Sequence, residues 1–334
     1  LGVATVTGNT AFAAVTGTSI ASAAAFTRIA WPEMKKAGYN HSFALGAISG
    51  SACLGMLIPP SVLLIVWGII TEDSIGKLFV AGVIPGILLA LLYVSYNLIR
   101  AIMKPELAPE PDKVGLVTKL TKTEIYSGFS IIALIFLVLG GIWGGIFTAT
   151  EAAGMGAIAS FIIALCKGMK FKGVVESVID AGKTSAPIMI LLITAGMYSR
   201  FLSLSDINSI ILEAITSVGL NQFAILIMMV VIWLVLGMLL DSISIILLTV
   251  PIFIHLVPEM NPYAFAIFGI LAIEAGLLTP PFGLIVYTVK GVLTGSNDNV
   301  PLGTIFMGSI PYWIMMLFVM IMVYLIPELA SWPT

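Results

Sequence analysis

Two proline pairs interrupt hydrophobic stretches of the chain, and their surroundings are suited to binding cations. Pro59-Pro60 lies in the stretch 55–61, and Pro280-Pro281 lies in the stretch 276–283. Each stretch belongs to an apolar run long enough to cross a bilayer, where proline removes a hydrogen bond from a continuing helix. The backbone carbonyls freed in this way must be covered by protein or line a cavity, and they can coordinate cations. The pairs therefore predict two broken membrane helices at the binding site of a transporter.

The composition excludes a soluble globular protein. Of the 334 residues, 59% are hydrophobic and 10% are charged, and the mean hydropathy is +1.11. The apolar runs are continuous and as long as membrane helices, which favours an all-α polytopic membrane protein over a barrel of alternating strands. The net charge of −2 gives no reason to expect nucleic-acid binding. Cys53 and Cys166 are too few for a disulfide framework or a metal site.

The same order of elements is predicted twice along the chain. A hairpin with a polar tip precedes a Pro-Glu-Met connector, a proline-broken helix and a further helix, first around Pro32-Glu33-Met34 and again around Pro258-Glu259-Met260. The first of these connectors is expected to be a polar segment over 28–40 that carries Arg28, Lys35 and Lys36. Lys and Arg mark the connectors 28–36, 100–122 and 167–183 as cytoplasmic. The hairpin at 1–27 then has its ends in the cytoplasm, whereas the hairpin at 222–257 opens to the outside, which predicts inverted repeats.

These repeats divide the chain into four predicted regions. Residues 1–77 form the first repeat of a transport domain, and residues 222–291 form the second repeat. Residues 78–221 form a scaffold with connecting helices and interfacial arms, and residues 292–334 contain a C-terminal scaffold helix. The chain opens without Met inside an apolar stretch, which predicts that it begins within a longer protein.

Several motifs together resemble the large membrane subunit of tripartite ATP-independent periplasmic (TRAP) transporters. In the first half these motifs are Phe12-Ala13-Ala14-Val15-Thr16-Gly17-Thr18, Pro32-Glu33-Met34-Lys35-Lys36-Ala37-Gly38-Tyr39, Ile58-Pro59-Pro60-Ser61, Ser74-Ile75-Gly76-Lys77-Leu78-Phe79 and Ala81-Gly82-Val83-Ile84-Pro85-Gly86. In the second half they are Thr148-Ala149-Thr150-Glu151-Ala152-Ala153, Leu236-Gly237-Met238-Leu239-Leu240-Asp241 and Gly276-Leu277-Leu278-Thr279-Pro280-Pro281-Phe282-Gly283. The family often has Ser-Gly-Ser at the first hairpin tip, where this chain has Thr16-Gly17-Thr18.

The resemblance implies a sodium-driven elevator transporter of organic-acid anions in the bacterial inner membrane. Its expected partners are a small transmembrane subunit and a periplasmic substrate-binding protein. Na+ is the expected coupling ion, and no cofactor is expected. Sialic acids, C4-dicarboxylates, keto acids and sulfonates all remain possible substrates.

Sodium is a hard cation that binds oxygen atoms, and the two halves offer such atoms at the hairpin tips and helix breaks. One sodium ion per half is predicted, with the ligand set Thr16, Gly17, Thr18, Ser19, Ser51, Gly55, Gly237, Asp241, Ser242, Gly276 and Thr279. Asp241 would cost roughly 2.5–3.5 kcal/mol at a membrane helix centre without a functional partner. The predicted substrate contacts between the tips are Thr18, Ser61, Ser242 and Glu274, near helix N-termini that favour an anion.

Three other interpretations are compatible with parts of this pattern. A stand-alone sodium- or proton-coupled carboxylate symporter would share the inverted repeats but need no binding protein. Clusters of small residues also occur on the packing faces of membrane helices, and Glu274 could be a site residue, a proton carrier or a packing acceptor. An intramembrane enzyme could use Asp241 and Glu274 as a carboxylate pair, but the sequence shows no accompanying nucleophile and base. The chain is therefore predicted not to be an enzyme.

Overall fold

The computed structural model describes residues 1–109, 121–217, 219, 221–296 and 298–331. These residues form helices and connecting segments with no β-strand, which confirms the predicted all-α class. The α-helices are α1 (Gly2–Thr16), α2 (Ser19–Lys36), α3 (His41–Ala52), α4 (Val62–Thr71), α5 (Ile75–Met103), α6 (Lys122–Trp143), α7 (Ala149–Cys166), α8 (Phe171–Leu204), α9 (Ile207–Ser217), α10 (Gln222–Leu239), α11 (Ser242–Phe253), α12 (Pro262–Gly276), α13 (Leu284–Gly295), α14 (Leu302–Leu325) and α15 (Glu328–Ser331). Among the described helices, six are long and apolar enough to cross a membrane, namely α5, α6, α7, α8, α10 and α14.

Both predicted helix breaks are present. After α3 the chain makes a 3₁₀ turn over Cys53–Met56, and it becomes helical again at α4, whose first turn receives a cap from Ser61. After α12 it is non-helical until α13, which follows Gly283 at a φ of 44°. Pro59-Pro60 and Pro280-Pro281 each lie in the non-helical segment and contain a cis peptide bond. The proline pairs thus interrupt the helices where the sequence predicts.

The two halves share their local chemistry as well as their order. Asn40 caps α3 by accepting hydrogen bonds from the amides of Ser42 and Phe43. Asn261 caps α12 in the same way, from the amides of Tyr263 and Ala264. An asparagine at this position satisfies backbone donors that a helix start leaves without partners. Each broken helix therefore starts with the same cap, while the inverted orientation of the halves in a membrane stays a prediction.

The polar connector predicted at 28–40 is helical over most of its length, because α2 continues through Pro32 to Lys36. Trp31 and Met34 on this part of α2 are each 1% exposed, so packing favours the helix despite the proline. The Trp31 Nε1 atom donates to Asp298 Oδ2 at 2.8 Å, and Lys35 forms an ion pair with the same carboxylate. The hydrogen bonds from Lys35 and Trp31 hold the pKa of Asp298 below its ordinary value. The end of α2 is thus fastened to the segment before α14.

The described residues separate into two compact units. One unit contains residues up to 109 and from 202 onward, and the other contains residues 121–201. Within the second unit, α6 packs against α7, and α7 begins with a capping box formed by Thr148 and Glu151. Within the first unit, the hairpins and broken helices lie together with α5 and α14. Its interior includes Trp67 and Trp233, whose rings contact Phe265 at centroid distances of 5.6 and 5.9 Å.

Helices α3 and α14 touch through their backbones at a pair of glycines. A Cβ atom at Gly46 would lie 2.1 Å from the carbonyl oxygen of Gly308, and a Cβ atom at Gly308 would lie 2.0 Å from that of Ser42. One turn further along α3, the ring of Tyr312 occupies the place that a Cβ atom at Gly50 would need. The absence of side chains here lets the helices approach closely, as is common in membrane proteins.

We predict that Gly308→Ala destabilises the protein, because its Cβ atom would overlap a backbone carbonyl that belongs to a packed helix. Overpacking of this kind costs about 1–3 kcal/mol. The matched control is Gly303→Ala on the same helix, where a Cβ atom meets nothing within 4 Å. Thermal unfolding of the purified protein in detergent should show a lower melting temperature for Gly308→Ala alone. Equal melting temperatures for both variants would contradict the backbone contact.

Candidate functional site

The tip of the first hairpin contacts the first helix break. α1 ends at Thr16, and the next residue, Gly17, has a φ of 63° in the left-handed region that glycine adopts without strain. The carbonyl of Gly17 accepts a hydrogen bond from the amide of Val62 at 3.4 Å, and a Cβ atom at Gly17 would lie 3.1 Å from the carbonyl oxygen of Pro60. At Gly55 a Cβ atom would lie 2.8 Å from that of Ala13. The backbone oxygens of tip and break are therefore neighbours in the first half.

In the second half, α10 and α12 approach each other through two glycines that the sequence places in the sodium set. A Cβ atom at Gly237 would lie 2.8 Å from Cα of Gly276, and a Cβ atom at Gly276 would lie 2.9 Å from Cα of Gly237. This contact brings the end of the first hairpin arm against the residues that precede Pro280-Pro281. The structure thus brings Gly237 and Gly276 together, as predicted for ligands of one site.

Glu274 on α12 lies beside the first residues of the second arms of both hairpins. The hydroxyl of Ser242, the first residue of α11, donates to Glu274 Oε1 at 2.6 Å. Ser19, the first residue of α2, and Cys53 face the same carboxyl group. Glu274 is 2% exposed, and Ser19 is fully buried. Ser19 Oγ and Glu274 Oε2 are both enclosed without a hydrogen-bond partner among the described atoms. The carboxyl group of Glu274 is therefore hydrogen-bonded to the first turn of α11 and lies near the first turn of α2.

Most of the other predicted hydroxyl ligands donate to backbone carbonyls of their own segments. These bonds run from Thr16 to Phe12 at 3.1 Å, from Ser51 to Ala47 at 2.5 Å, from Ser61 to Met56 at 2.5 Å and from Thr279 to Ala275 at 2.7 Å. A hydroxyl that donates its proton in this way keeps oxygen lone pairs for a further contact. Thr18 differs, because it occupies the N-cap position of α2 without a side-chain capping bond.

Asp241 is positioned by the helix that follows it. As the N-cap of α11, its Oδ2 atom accepts from the amide of Ser244 at 3.1 Å and its Oδ1 atom accepts from the Ser244 hydroxyl at 2.5 Å. The positive end of the helix dipole favours a carboxylate here. Capping therefore explains why an acid occurs in this apolar hairpin, and its role as a sodium ligand stays a prediction.

The family model described as "Tripartite ATP-independent periplasmic transporter, DctM component" matches residues 1–329. The chain belongs to this family. It is therefore a component of a TRAP transporter and a multi-pass protein of the bacterial inner membrane. This membership confirms the resemblance found in the sequence.

Curated relatives of this TRAP permease differ in the substrate that their names give. The chain is 32% identical to the C4-dicarboxylate TRAP transporter large permease protein of Pseudomonas aeruginosa, over 96% of this chain and 74% of that protein. It is 30% identical to the ectoine TRAP transporter large permease protein of Halomonas elongata, over 99% of this chain and 76% of that protein. It is 26% identical to the sialic acid TRAP transporter permease protein of Haemophilus influenzae, over 96% of this chain and 51% of that protein.

Sequence reasoning missed Asn9 of the permease, which fastens the first hairpin to the first broken helix. Asn9 is fully buried, and its Nδ2 atom donates to the carbonyl of Ile48 at 3.1 Å and to the hydroxyl of Ser51 at 2.8 Å. Its Oδ1 atom accepts from the hydroxyl of Ser22 at 2.9 Å. One amide thus joins α1, α2 and α3. The available signal was a lone amide in an apolar hairpin arm, since a buried polar group needs partners.

The described part of the permease contains no group of three or more His, Cys, Asp and Glu residues that could hold a metal ion. A hard cation held by hydroxyl and carbonyl oxygens needs no such group. A groove of ≈ 420 Å³ between α2 and α13 is lined by Arg28, Thr288, Gly291, Val292, Gly295 and Ser296. It contains none of the predicted site residues.

We predict that Asn9→Ala lowers the stability of the permease by about 1–3 kcal/mol, because it leaves buried hydrogen-bond partners unsatisfied. Thr7→Ala on the same helix is the control, since Thr7 is exposed and donates only to carbonyls of its own helix. Its effect should stay within about 0.5 kcal/mol. Unfolding monitored in detergent distinguishes the two variants. A loss of similar size in Thr7→Ala would show that the Asn9 bonds are not the cause.

Proposed function

We propose that this chain carries out sodium-coupled uptake of an organic-acid anion across the inner membrane. A periplasmic binding protein delivers the substrate, and a small transmembrane permease subunit completes the complex. The observation that carries the proposal is the convergence of both hairpin tips, Ser19 and Ser242, on the buried carboxyl of Glu274. Membership of a transporter family supports transport, rather than catalysis by Asp241 and Glu274, as the function of this centre.

The residues at the tips and breaks fit a hard cation, because they offer oxygen atoms from carbonyls, hydroxyls and one carboxylate. In the first half, one sodium ion would be held by Thr16, Gly17, Thr18, Ser19, Ser51 and Gly55. In the second half, another would be held by Gly237, Asp241, Ser242, Gly276 and Thr279. The contact between the Gly17 carbonyl and Val62, beside the Pro60 carbonyl, supports the first assignment. The close approach of Gly237 and Gly276 supports the second.

The substrate anion would lie between the tips. Helices α2 and α11 both begin there, and a helix N-terminus favours negative charge. Thr18, Ser61, Ser242 and Glu274 are the proposed contacts. The names of the relatives include a C4-dicarboxylate, ectoine and sialic acid, so the shared fold does not select one substrate. An organic acid with additional hydrogen-bonding groups is the class that this polar centre suits.

Transport would proceed by an elevator movement in which the hairpins and broken helices move as one body. The backbone contact between Gly46 on α3 and Gly308 on α14 leads us to place α14 in that moving body, since two helices interlocked in this way cannot slide without separating. The same argument applies to α5, which packs against α1 and α12. This proposal departs from the scaffold role predicted for these two helices from the sequence.

Sodium binding and substrate binding would be coupled because sodium orders the hairpin tips. Sodium bound between tip and break would hold the tip in the arrangement that the substrate needs. Substrate bound there would raise the affinity for sodium by the same factor, because such a linkage is reciprocal.

The proposal is tested by uptake of radiolabelled succinate, pyruvate, isethionate and sialic acid into proteoliposomes containing the complete permease. Each acid is tested with and without an inward sodium gradient and the binding protein. Uptake that needs both supports the proposed function. Sodium-driven uptake without the binding protein would favour a stand-alone symporter, and uptake of none of these acids under any condition would contradict organic-acid transport.

We predict that Thr18→Ala raises the sodium concentration needed for half-maximal uptake by roughly tenfold or more, because a hydroxyl contact to a charged ligand is lost. Thr10→Ala is the matched control, since Thr10 donates to the carbonyl of Val6 within α1. Initial uptake rates measured against sodium concentration give the comparison. The same sodium dependence in wild type and Thr18→Ala would remove Thr18 from the sodium site.

A further inference from the structure

The groove between α2 and α13 carries a positive charge that no described residue neutralises. Arg28 lines the groove, is exposed, and forms no ion pair or hydrogen bond with any described residue. The other charged residues of these two helices are engaged: Lys35 with Asp298, Lys36 with Glu33, and Lys290 with the carbonyl of Val300. A guanidinium group presents its N–H donors in a planar fork that matches a carboxylate. The groove is therefore complementary in charge to a small organic anion.

The wall of the groove opposite Arg28 leaves room for such a ligand. A Cβ atom at Gly291 or at Gly295 of α13 would meet nothing within 4 Å, so open space lies beside both glycines. Thr288 and Ser296 line the same wall, and their hydroxyls donate to carbonyls of α13. A hydroxyl can rotate to donate to an anion instead. The volume of ≈ 420 Å³ is in the range of sites that bind small molecules.

Both helices of the groove begin at the candidate site. Ser19, the first residue of α2, faces the carboxyl group of Glu274. α13 begins directly after Gly283, where a Cβ atom would lie 3.2 Å from the carbonyl oxygen of Thr279. With a rise of about 1.5 Å per residue, Arg28 lies about 14 Å along α2 from Ser19. The groove is thus a short distance from the place proposed for the substrate.

The two helices also end side by side. Trp31 near the end of α2 donates to the carboxylate of Asp298, and the amide of Asp298 donates to the carbonyl of Leu293 near the end of α13. Helices that share both ends run in the same direction. The Lys and Arg residues around 28–36 predict that this shared end faces the cytoplasm. The groove therefore lies between the candidate site and the predicted cytoplasmic end.

We propose that this groove is a second binding site for the organic-acid anion, occupied after the anion leaves the hairpin tips and before it enters the cytoplasm. The identity of this ligand rests on the proposed function. Arg28 binds the carboxylate group through charge-assisted hydrogen bonds, and the rest of the acid lies along Gly291 and Gly295. A positive charge at this position attracts the leaving anion and so favours its movement away from the tips.

The first test introduces a thiol into the groove and requires no transport. Gly295→Cys is combined with Cys166→Ser, because Cys166 is exposed whereas Cys53 is buried. The anionic reagent methanethiosulfonate ethylsulfonate should modify the introduced thiol in the purified complex. At least one of succinate, pyruvate, isethionate and sialic acid should slow this reaction by occupying the groove. A reaction that none of these acids slows would overturn the proposal.

Removal of the charge shows whether this protection comes from Arg28. Arg28→Gln should raise the acid concentration that gives half-maximal protection by roughly tenfold or more, because a charge-assisted contact is lost. Lys36→Gln is the matched control, since it removes the same charge from a residue that is paired with Glu33. Protection that is unchanged in Arg28→Gln, or weakened equally in Lys36→Gln, would contradict the proposed site. A reaction slowed by phosphatidylglycerol in nanodiscs, and by none of the acids, would assign the groove to a lipid headgroup instead.

The second test asks whether the groove lies on the transport path, in proteoliposomes with the binding protein outside and an inward sodium gradient. Gly291→Leu places a side chain in the open groove. It should lower the maximal uptake rate several-fold without raising the external acid concentration for half-maximal uptake, because binding from outside is unaffected. Gly303→Leu is the control, since a Cβ atom there also meets nothing within 4 Å and Gly303 lies on α14, outside the groove.

The two tests separate failure of this proposal from failure of the proposed function. Equal maximal uptake rates in Gly291→Leu and Gly303→Leu would overturn the place of the groove on the path while leaving transport itself established. Absence of uptake in wild type would instead count against the proposed function. The thiol reaction would then decide by itself whether the groove binds organic-acid anions.

Discussion

The structure depends on a constraint imposed by the membrane: backbone groups freed where a helix is interrupted must be satisfied by the protein itself. The permease meets it by placing a hairpin beside each break. The Gly17 carbonyl receives the amide of Val62 in the first half, and Gly237 packs on Gly276 in the second. In the first half, interrupted backbone therefore faces interrupted backbone. In the second half, the glycine contact brings the end of α10 beside the end of α12, next to the break. These are the two places where we propose the sodium sites.

Polar side chains then join these places into one centre. Asn9 ties both arms of the first hairpin to α3 through its amide, and Ser242 ties the second hairpin to Glu274 on α12. Buried hydrogen bonds of this kind are costly to break, because neither partner finds water. These hydrogen bonds therefore hold each hairpin in place relative to the helix that it contacts. The carboxyl group of Glu274 is hydrogen-bonded to the second tip and lies near the first residue of α2.

Close packing decides which helices can move together. The glycines of α3 and α14 bring two backbones into contact, and the ring of Tyr312 fills the space beside Gly50. Such interlocked surfaces hold their relative positions far better than surfaces made of flexible side chains. This is why we group α14 with the hairpins in the proposed movement.

The sequence by itself determined the all-helical class, the two breaks and the repeated order of elements, because proline pairs and continuous apolar runs act through the local backbone. It also predicted Glu274, Ser242 and Ser19 as site residues, since a polar side chain in an apolar membrane helix is costly to bury without a partner. Only the tertiary structure decided that these three meet at one carboxyl group, that Asn9 joins three helices, and that α2 continues past Pro32. These features depend on contacts between residues far apart in the chain, which local pattern does not encode.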